Sequence, residues 1–188
     1  MAYISVTDSA QELIAQSLKP GQLAIDATIG NGHDTLFMAE LVGAEGQVFG
    51  FDIQQQALAN TRQRLADAGL ENRVTLIQGG HENMEDLLPC RIHGQISVIM
   101  FNLGYLPGGD KNIITRPGTT RAAVEIATRL LAPGGIMTIL VYRGHPGGQD
   151  EADTVSNALD SMRRKGFEIE LQLSPGPWFY VVKKSPRT

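Results

Sequence analysis

The chain of 188 residues carries one cysteine, Cys90, which excludes an internal disulfide and a cysteine-ligated zinc cluster. No apolar run reaches the length of a bilayer span, and the N-terminus lacks the basic-then-apolar pattern of a secretory signal. These absences point to a soluble cytoplasmic protein. An excess of positive charge is absent too. The net charge is −4 and the pI about 5.5, which argues against broad, nonspecific adhesion to nucleic acid but leaves a local basic face open. Lys111, Arg116, Arg121 and Arg143 fall in or near the segments after the fourth and fifth expected strands. They read either as such a face or as scattered solvated charges. No internal repeat or linker interrupts the chain, and its length fits a single domain over residues 1–188 with a well-buried core.

What is present is an alternation of short apolar runs with helical spacing. Leu13, Ile14 and Leu18 predict a helix over 8–18, stopped by Lys19-Pro20-Gly21. Strands are expected at 23–28, 47–53, 73–78, 95–101 and 136–142. Between them the pattern predicts helices running to about Val42, over 54–68 with Gly69 as C-cap, after Asn83 (Met84, Leu87, Leu88), over 119–131 closed by Pro133-Gly134-Gly135, and over 150–165. Two final β runs, 167–173 and 178–183, flank Ser174-Pro175-Gly176-Pro177 and read as an antiparallel hairpin. The fold class is α/β: a Rossmann-like, seven-stranded, mostly parallel sheet with a C-terminal antiparallel hairpin and helices on both faces.

The first strand runs into Asp26-Ala27-Thr28-Ile29-Gly30-Asn31-Gly32-His33-Asp34-Thr35. The glycines let backbone approach a ligand, and the helix start offers free N–H groups. The dinucleotide fingerprint requires a third glycine where Thr35 stands, which disfavours a nicotinamide cofactor. The remaining acid, three residues, then Gly-x-Gly (Asp26, Gly30, Gly32) resembles motif I of the class I S-adenosylmethionine (SAM) methyltransferases. In that reading Asp34 meets the cofactor's ammonium group. The plainer alternative is a turn joining strand to helix. Asp52 ends the second strand, where Rossmann-type folds hold ribose hydroxyls, and Gln54 continues that contact. Asp52 also reads as a cap for the following helix. His81 and Glu82 follow the third strand and are candidates for the base or ribose edge, or for a simple loop hydrogen bond.

The fourth strand leads into Asn102-Leu103-Gly104-Tyr105-Leu106-Pro107-Gly108-Gly109-Asp110-Lys111. Amino-directed methyltransferases carry Asn/Asp-Pro-Pro-Tyr/Phe at this place. Here the two ends are kept and both prolines are absent. Asn102 and the carbonyl that follows it would accept hydrogen bonds from a substrate amine, Tyr105 would stack on a planar base, and Leu103 joins Asn102 among the candidate cofactor contacts. Asp110 belongs to the same loop and joins the candidate substrate contacts. Tyr142 ends the fifth expected strand and His145 follows it, both placed to touch a base or assist proton removal.

Taken together, these loops, with Phe51-Asp52-Ile53-Gln54, His81-Glu82 and Tyr142-Arg143-Gly144-His145-Pro146-Gly147-Gly148, resemble an rRNA-methylase-type family now associated with tRNA 5-aminomethyl-2-thiouridine methylation. The resemblance covers nearly the whole chain; Gly79-Gly80 departs from the more polar residues expected there. It implies SAM contacts at Asn31, Asp34, Thr35, Asp52, Gln54, His81, Glu82 and Asn102, with Tyr105, Tyr142 and His145 lining a uridine pocket. It also implies conversion of the wobble aminomethyl group to methylaminomethyl on tRNA, near the anticodon. No metal is needed for that chemistry. Water, Tyr105 or His145 would take the proton, and a homodimer would add RNA-binding surface. The rivals are another acceptor (rRNA, a protein amine or a small metabolite) and a non-catalytic nucleotide- or RNA-binding module.

Overall fold

The computed structural model describes residues 6–106, 108–109, 113–172 and 176–186. Asp110 and Lys111 lie outside the described residues, as does the segment 173–175 in the terminal hairpin. The chain runs α1 (Val6–Ser17), β1 (Leu23–Asp26), α2 (His33–Val42), β2 (Gln47–Asp52), α3 (Gln55–Ala68), β3 (Val74–Gln78), α4 (Met84–Leu87), β4 (Ile96–Leu103), α5 (Pro117–Leu130), β5 (Leu131–Val141), α6 (Gly148–Arg163), β6 (Glu168–Gln172) and β7 (Trp178–Lys183).

The central strand explains the layering. In β4 only Ser97 and Asn102 escape full burial, as expected for a parallel strand covered on both faces. Its alternate side chains divide between two cores. Ile99 and Phe101 pack with Val124, Ala127, Val155 and Leu159 of α5 and α6. Val98 and Met100 pack with Ile14, Met38, Val42 and Leu65 of α1, α2 and α3. Helices therefore cover both faces.

The sheet order is β3-β2-β1-β4-β5-β7-β6. Strands β1 to β5 are mutually parallel, and β7 runs antiparallel between β5 and β6. The seven-stranded, mostly parallel sheet and its C-terminal hairpin follow the sequence expectation. Strand order reverses between β1 and β4, and the crevice beyond the strand ends at that reversal is where such folds bind ligands. Asp26, Asp52, Gln78 and Asn102 all sit at or beside those ends.

Boundaries differ where tertiary bonds extend or cut an element. β1 ends at Asp26 rather than Thr28, because Thr28 turns its hydroxyl to accept from the Asn102 N–H at 2.7 Å. β4 continues two residues past Phe101, paired with β5 through Leu103–Val141. β5 starts at Leu131 and contains Pro133-Gly134-Gly135 as an irregularity opposite Ile96–Val98. The glycines keep it in the sheet by exchanging backbone bonds with Lys184. α5 starts at Pro117, a residue type suited to a first helical turn.

Candidate active site

A cleft of about 1380 Å³ opens at the strand reversal. One half is built from the β1, β2 and β3 ends. Gly30 takes φ +56°, a left-handed conformation natural to glycine, and donates its N–H to Asp52 Oδ2 at 3.0 Å. Asp52 Oδ1 accepts from Gln54 N–H at 2.9 Å. The carboxylate thus ties the glycine loop to the start of α3, serving the helix entry while facing the cleft; burial raises its pKa from the ordinary value.

Asp26 lies beneath this loop. It is wholly buried, accepting from the Thr28 N–H at 3.2 Å and the Thr35 hydroxyl at 2.5 Å. Burial pushes its carboxyl from 3.8 to about 7; the neighbouring Asp34 charge adds to the rise, and the two hydrogen bonds oppose it. Gly32 caps α2 at φ +76°, and a Cβ there would collide with the Thr61 side chain of α3. His81, in a short 3₁₀ turn, is buried against Phe101 with ring centroids 5.9 Å apart. Burial holds its pKa below the ordinary value, partly offset by Glu82 and a hydrogen bond to the Ala27 backbone.

Between the halves stands Asn102. Its Nδ2 donates to Asp34 Oδ2 at 2.8 Å, and Gln11 of α1 donates to Asp34 Oδ1 at 2.8 Å. A carboxylate only accepts, so it fixes which end of the amide faces it. Asn102 Oδ1 is left buried, with no hydrogen-bond partner among the described residues. Asn102 also lines the cleft, and its unpaired oxygen keeps the capacity to accept a hydrogen bond.

The other half carries Tyr105 and Tyr142, 40% and 39% exposed, with Ile113 at the rim. Tyr105 bridges Ile114 as an isolated antiparallel pair and meets His145 edge-to-face at 6.0 Å. His145 Nδ1 lies 3.1 Å from the Pro146 carbonyl, and Nε2 is buried with no partner among the described residues. A carbonyl cannot donate, so Nδ1 is the donor, and in the neutral ring the lone pair then falls on Nε2.

The cleft brings together Gly30, Asn31, Asp34, Asp52, Gln54, His81, Glu82, Asn102, Tyr105, Tyr142 and His145. Asp26, Gly32, Thr35 and Leu103 are not among its lining residues. The first three are buried and shape the loop from below or behind. Leu103 is fully buried in the core, and its carbonyl already accepts from the Tyr142 N–H at 3.1 Å. Of the basic residues, Arg143 lies over the Trp178 ring at 4.7 Å and donates to the Gly176 carbonyl, and Arg121 pairs with Glu125 at 3.1 Å. Only Arg116 of the described ones lines the cleft. Two participants had no local signal in the sequence. Gln11 reaches Asp34 from α1, and Arg64 of α3 donates to the Asn31 carbonyl at 3.1 Å. Among the described residues no group of three or more His, Cys, Asp or Glu is arranged to hold a metal ion, and no helix is long and apolar enough to cross a membrane.

The residues fit a cationic nucleoside cofactor better than a dinucleotide. Asp34 and Asp52 face the cleft and Asp26 backs its glycine loop, and both neighbours raise the Asp26 pKa. Such a cluster repels a pyrophosphate and favours a sulfonium and an ammonium.

Comparison with known proteins agrees. The family model described as "Putative rRNA methylase" matches residues 48–173. A second model, for protein-L-isoaspartate(D-aspartate) O-methyltransferase, matches residues 2–93. A Clostridium thermocellum crystal structure bearing the first description is 40% identical, with a TM-score of 0.90 over 98% of this chain and 100% of that one. A "putative methyltransferase" from Streptococcus mutans, solved in complex with SAH, is 33% identical, with a TM-score of 0.83 over 98% and 99%. The Arabidopsis thaliana "tRNA (mnm(5)s(2)U34)-methyltransferase, chloroplastic" is 40% identical over 157 residues, which are 79% of this chain and 57% of the relative. The chain thus spans little more than half the length of that curated relative. With most of its length inside the family model and its fold shared end to end with solved members, the chain belongs to the rRNA-methylase family of class I SAM-dependent methyltransferases.

Proposed function

We propose that the chain transfers a methyl group from SAM to a primary amine on tRNA, converting 5-aminomethyl-(2-thio)uridine at the wobble position to 5-methylaminomethyl-(2-thio)uridine. The observation that carries this reading is the Asn102 carboxamide, locked by Asp34 with its oxygen orphaned at the junction of the two cleft halves. An amine nucleophile needs such an acceptor: a hydrogen bond from one N–H aims the nitrogen lone pair away from the amide and fixes its approach. The similarity to the Arabidopsis tRNA methyltransferase supports the acceptor, and that to the SAH-bound Streptococcus mutans protein supports the cofactor.

SAM supplies a methyl group already activated on a positively charged sulfur, so the protein's part is alignment and proton handling. Asp52 and Gln54 would hold the ribose, His81 and Glu82 the base edge, and Asn31 and Asp34 the amino-acid end. Tyr105 and Tyr142 present rings on which a unstacked uridine can lie. An amine must be unprotonated to act as a nucleophile, and His145 Nε2 offers the lone pair to take its proton. The same reading takes a single domain acting in the cytoplasm on the anticodon region, with homodimerisation as a means of widening the RNA-binding face.

Nucleoside mass spectrometry of a deletion strain tests the acceptor. The expected result is accumulated 5-aminomethyl-uridine species in tRNA, restored by the wild-type chain and not by Asn102→Ala. Unchanged tRNA nucleosides with an rRNA nucleoside lacking one methyl would move the acceptor to rRNA.

A further inference from the structure

Glu151 belongs to none of the motifs above, yet its side chain is only 1% exposed. It lies in the first turn of α6, where the helix dipole favours a carboxylate. A buried charge also needs hydrogen-bonding partners, and Glu151 has two. Oε1 accepts from the Thr120 hydroxyl at 2.5 Å and Oε2 from the Thr115 hydroxyl at 2.7 Å.

Those partners join two walls. Thr120 sits in α5, and Thr115 in the segment returning from the β4 loop. The Thr115 N–H donates to the Gly104 carbonyl at 3.0 Å, and its neighbour Ile114 pairs with Tyr105. On the other side, α6 grows directly out of the β5 loop. The Glu151 N–H donates to the Gly147 carbonyl and the Gly148 N–H to the His145 carbonyl, each at 3.0 Å. Packing there is close, since a Cβ on Gly148 would lie 2.7 Å from the Tyr142 carbonyl oxygen. One carboxylate therefore links the wall bearing Tyr105 to the loop bearing Tyr142 and His145, without itself lining the cleft.

We propose that Glu151 is a positioning residue for the methyl acceptor: it sets the spacing between the Tyr105 wall and the Tyr142–His145 wall. The inference rests on the assignment of those walls to the acceptor under the function proposed above. A carboxylate accepts from both threonine hydroxyls at once through charge-assisted bonds. Glutamine keeps one acceptor oxygen and turns the other contact into a donor, so one threonine must reorient. Thr115→Val cuts the link to the Tyr105 wall at nearly constant volume. Thr120→Val leaves that link in place.

The test uses wild-type, Glu151→Gln, Thr115→Val and Thr120→Val proteins labelled with fluorotyrosine. Fluorine spectra are combined with SAH affinity by calorimetry and methyl-transfer kinetics on tRNA from a deletion strain. Glu151→Gln and Thr115→Val are expected to move the Tyr105 and Tyr142 resonances while that of core Tyr180 stays. Both should raise the acceptor KM about tenfold, with SAH affinity changed less than about twofold. Thr120→Val should leave KM near wild type. Unmoved Tyr105 and Tyr142 resonances, or SAH and acceptor affinities falling by one common factor, overturn the proposal. If the wild-type protein transfers no methyl to tRNA while the resonances move as expected, the acceptor assignment fails and the positioning role stands.

Discussion

On the side of the cleft assigned to the cofactor under the proposed function, the chain's own carboxylates hold the backbone: Asp52 ties Gly30 to Gln54, and Asp26 ties Thr28 to Thr35. On the side assigned to the acceptor under the proposed function, the walls are two half-exposed tyrosines and a histidine, linked through buried Glu151 and an edge-to-face contact of Tyr105 with His145. The first half is preorganised by bonds between neighbouring strand ends. The second is assembled from segments joined at a distance. The contrast fits two different tasks. Under the proposed function, a small cofactor would be bound by fixed backbone and a bulky nucleic acid met by an open, aromatic surface.

Four substitutions sharpen or break this contrast. The largest effect is expected between the halves. Asn102→Ala should lower kcat by about 10²–10³-fold, the scale of losing one preorganised polar contact to the reacting group, with SAH affinity nearly unchanged. Single-turnover kinetics and calorimetry separate the two; a matching loss of SAH affinity would make Asn102 part of the cofactor half instead.

Asp26 tests how the cofactor half is supported. Folding raises its pKa from 3.8 to about 7. The native state therefore holds an extra proton between those values, and stability falls as pH rises through that window. The cost is absent below about pH 4 and complete above about pH 7. Asn keeps an acceptor for the Thr28 N–H and offers its amide to the Thr35 hydroxyl. Asp26→Asn should then flatten this part of the profile and gain on the order of 3 kcal/mol at pH 8. Urea denaturation of both proteins from pH 4 to 8 reads it as a difference, since His81, whose pKa is lowered, contributes the opposite slope in the wild-type profile; an Asp26→Asn advantage that does not grow with pH across that window would contradict the assignment.

Gly32→Ala should cost about 2 kcal/mol, since it adds a Cβ at positive φ and against Thr61. Pairing it with Thr61→Ala should recover part of the loss; no recovery would trace the cost to the backbone alone. The smallest effect is expected for Asp52→Ala, with SAH affinity reduced about tenfold in calorimetry by loss of the ribose acceptor and of the Gly30 tether. Unchanged affinity would remove Asp52 from the cofactor half.

The same contrast governs what the sequence made legible. Strand periodicity, the Gly-x-Gly turn and the acid ending β2 are local patterns, and they located the strands and most of the residues that line the cleft at the β1, β2 and β3 ends. Asn102 and Tyr105 were visible because both lie at a strand end. The supports were not visible. Asp26 reads as a wall residue by its place in the motif, but burial puts it under the loop. Leu103 reads as a contact because it follows Asn102, yet strand alternation turns its side chain into the core. Glu151 is one acid among several in a polar helix start, and only the return of Thr115 and Thr120 to its oxygens distinguishes it. Gln11 and Arg64 act across 23 and 33 residues of chain, separations on which local patterns carry no information.

The most direct test of amine methylation is to supply purified protein with isotopically labelled SAM and tRNA from a deletion strain, digest the tRNA, and identify the labelled nucleoside. The account predicts label on the aminomethyl nitrogen of a single wobble uridine species. Label on a ring carbon or a ribose oxygen, or none in tRNA while rRNA accepts it, would contradict it.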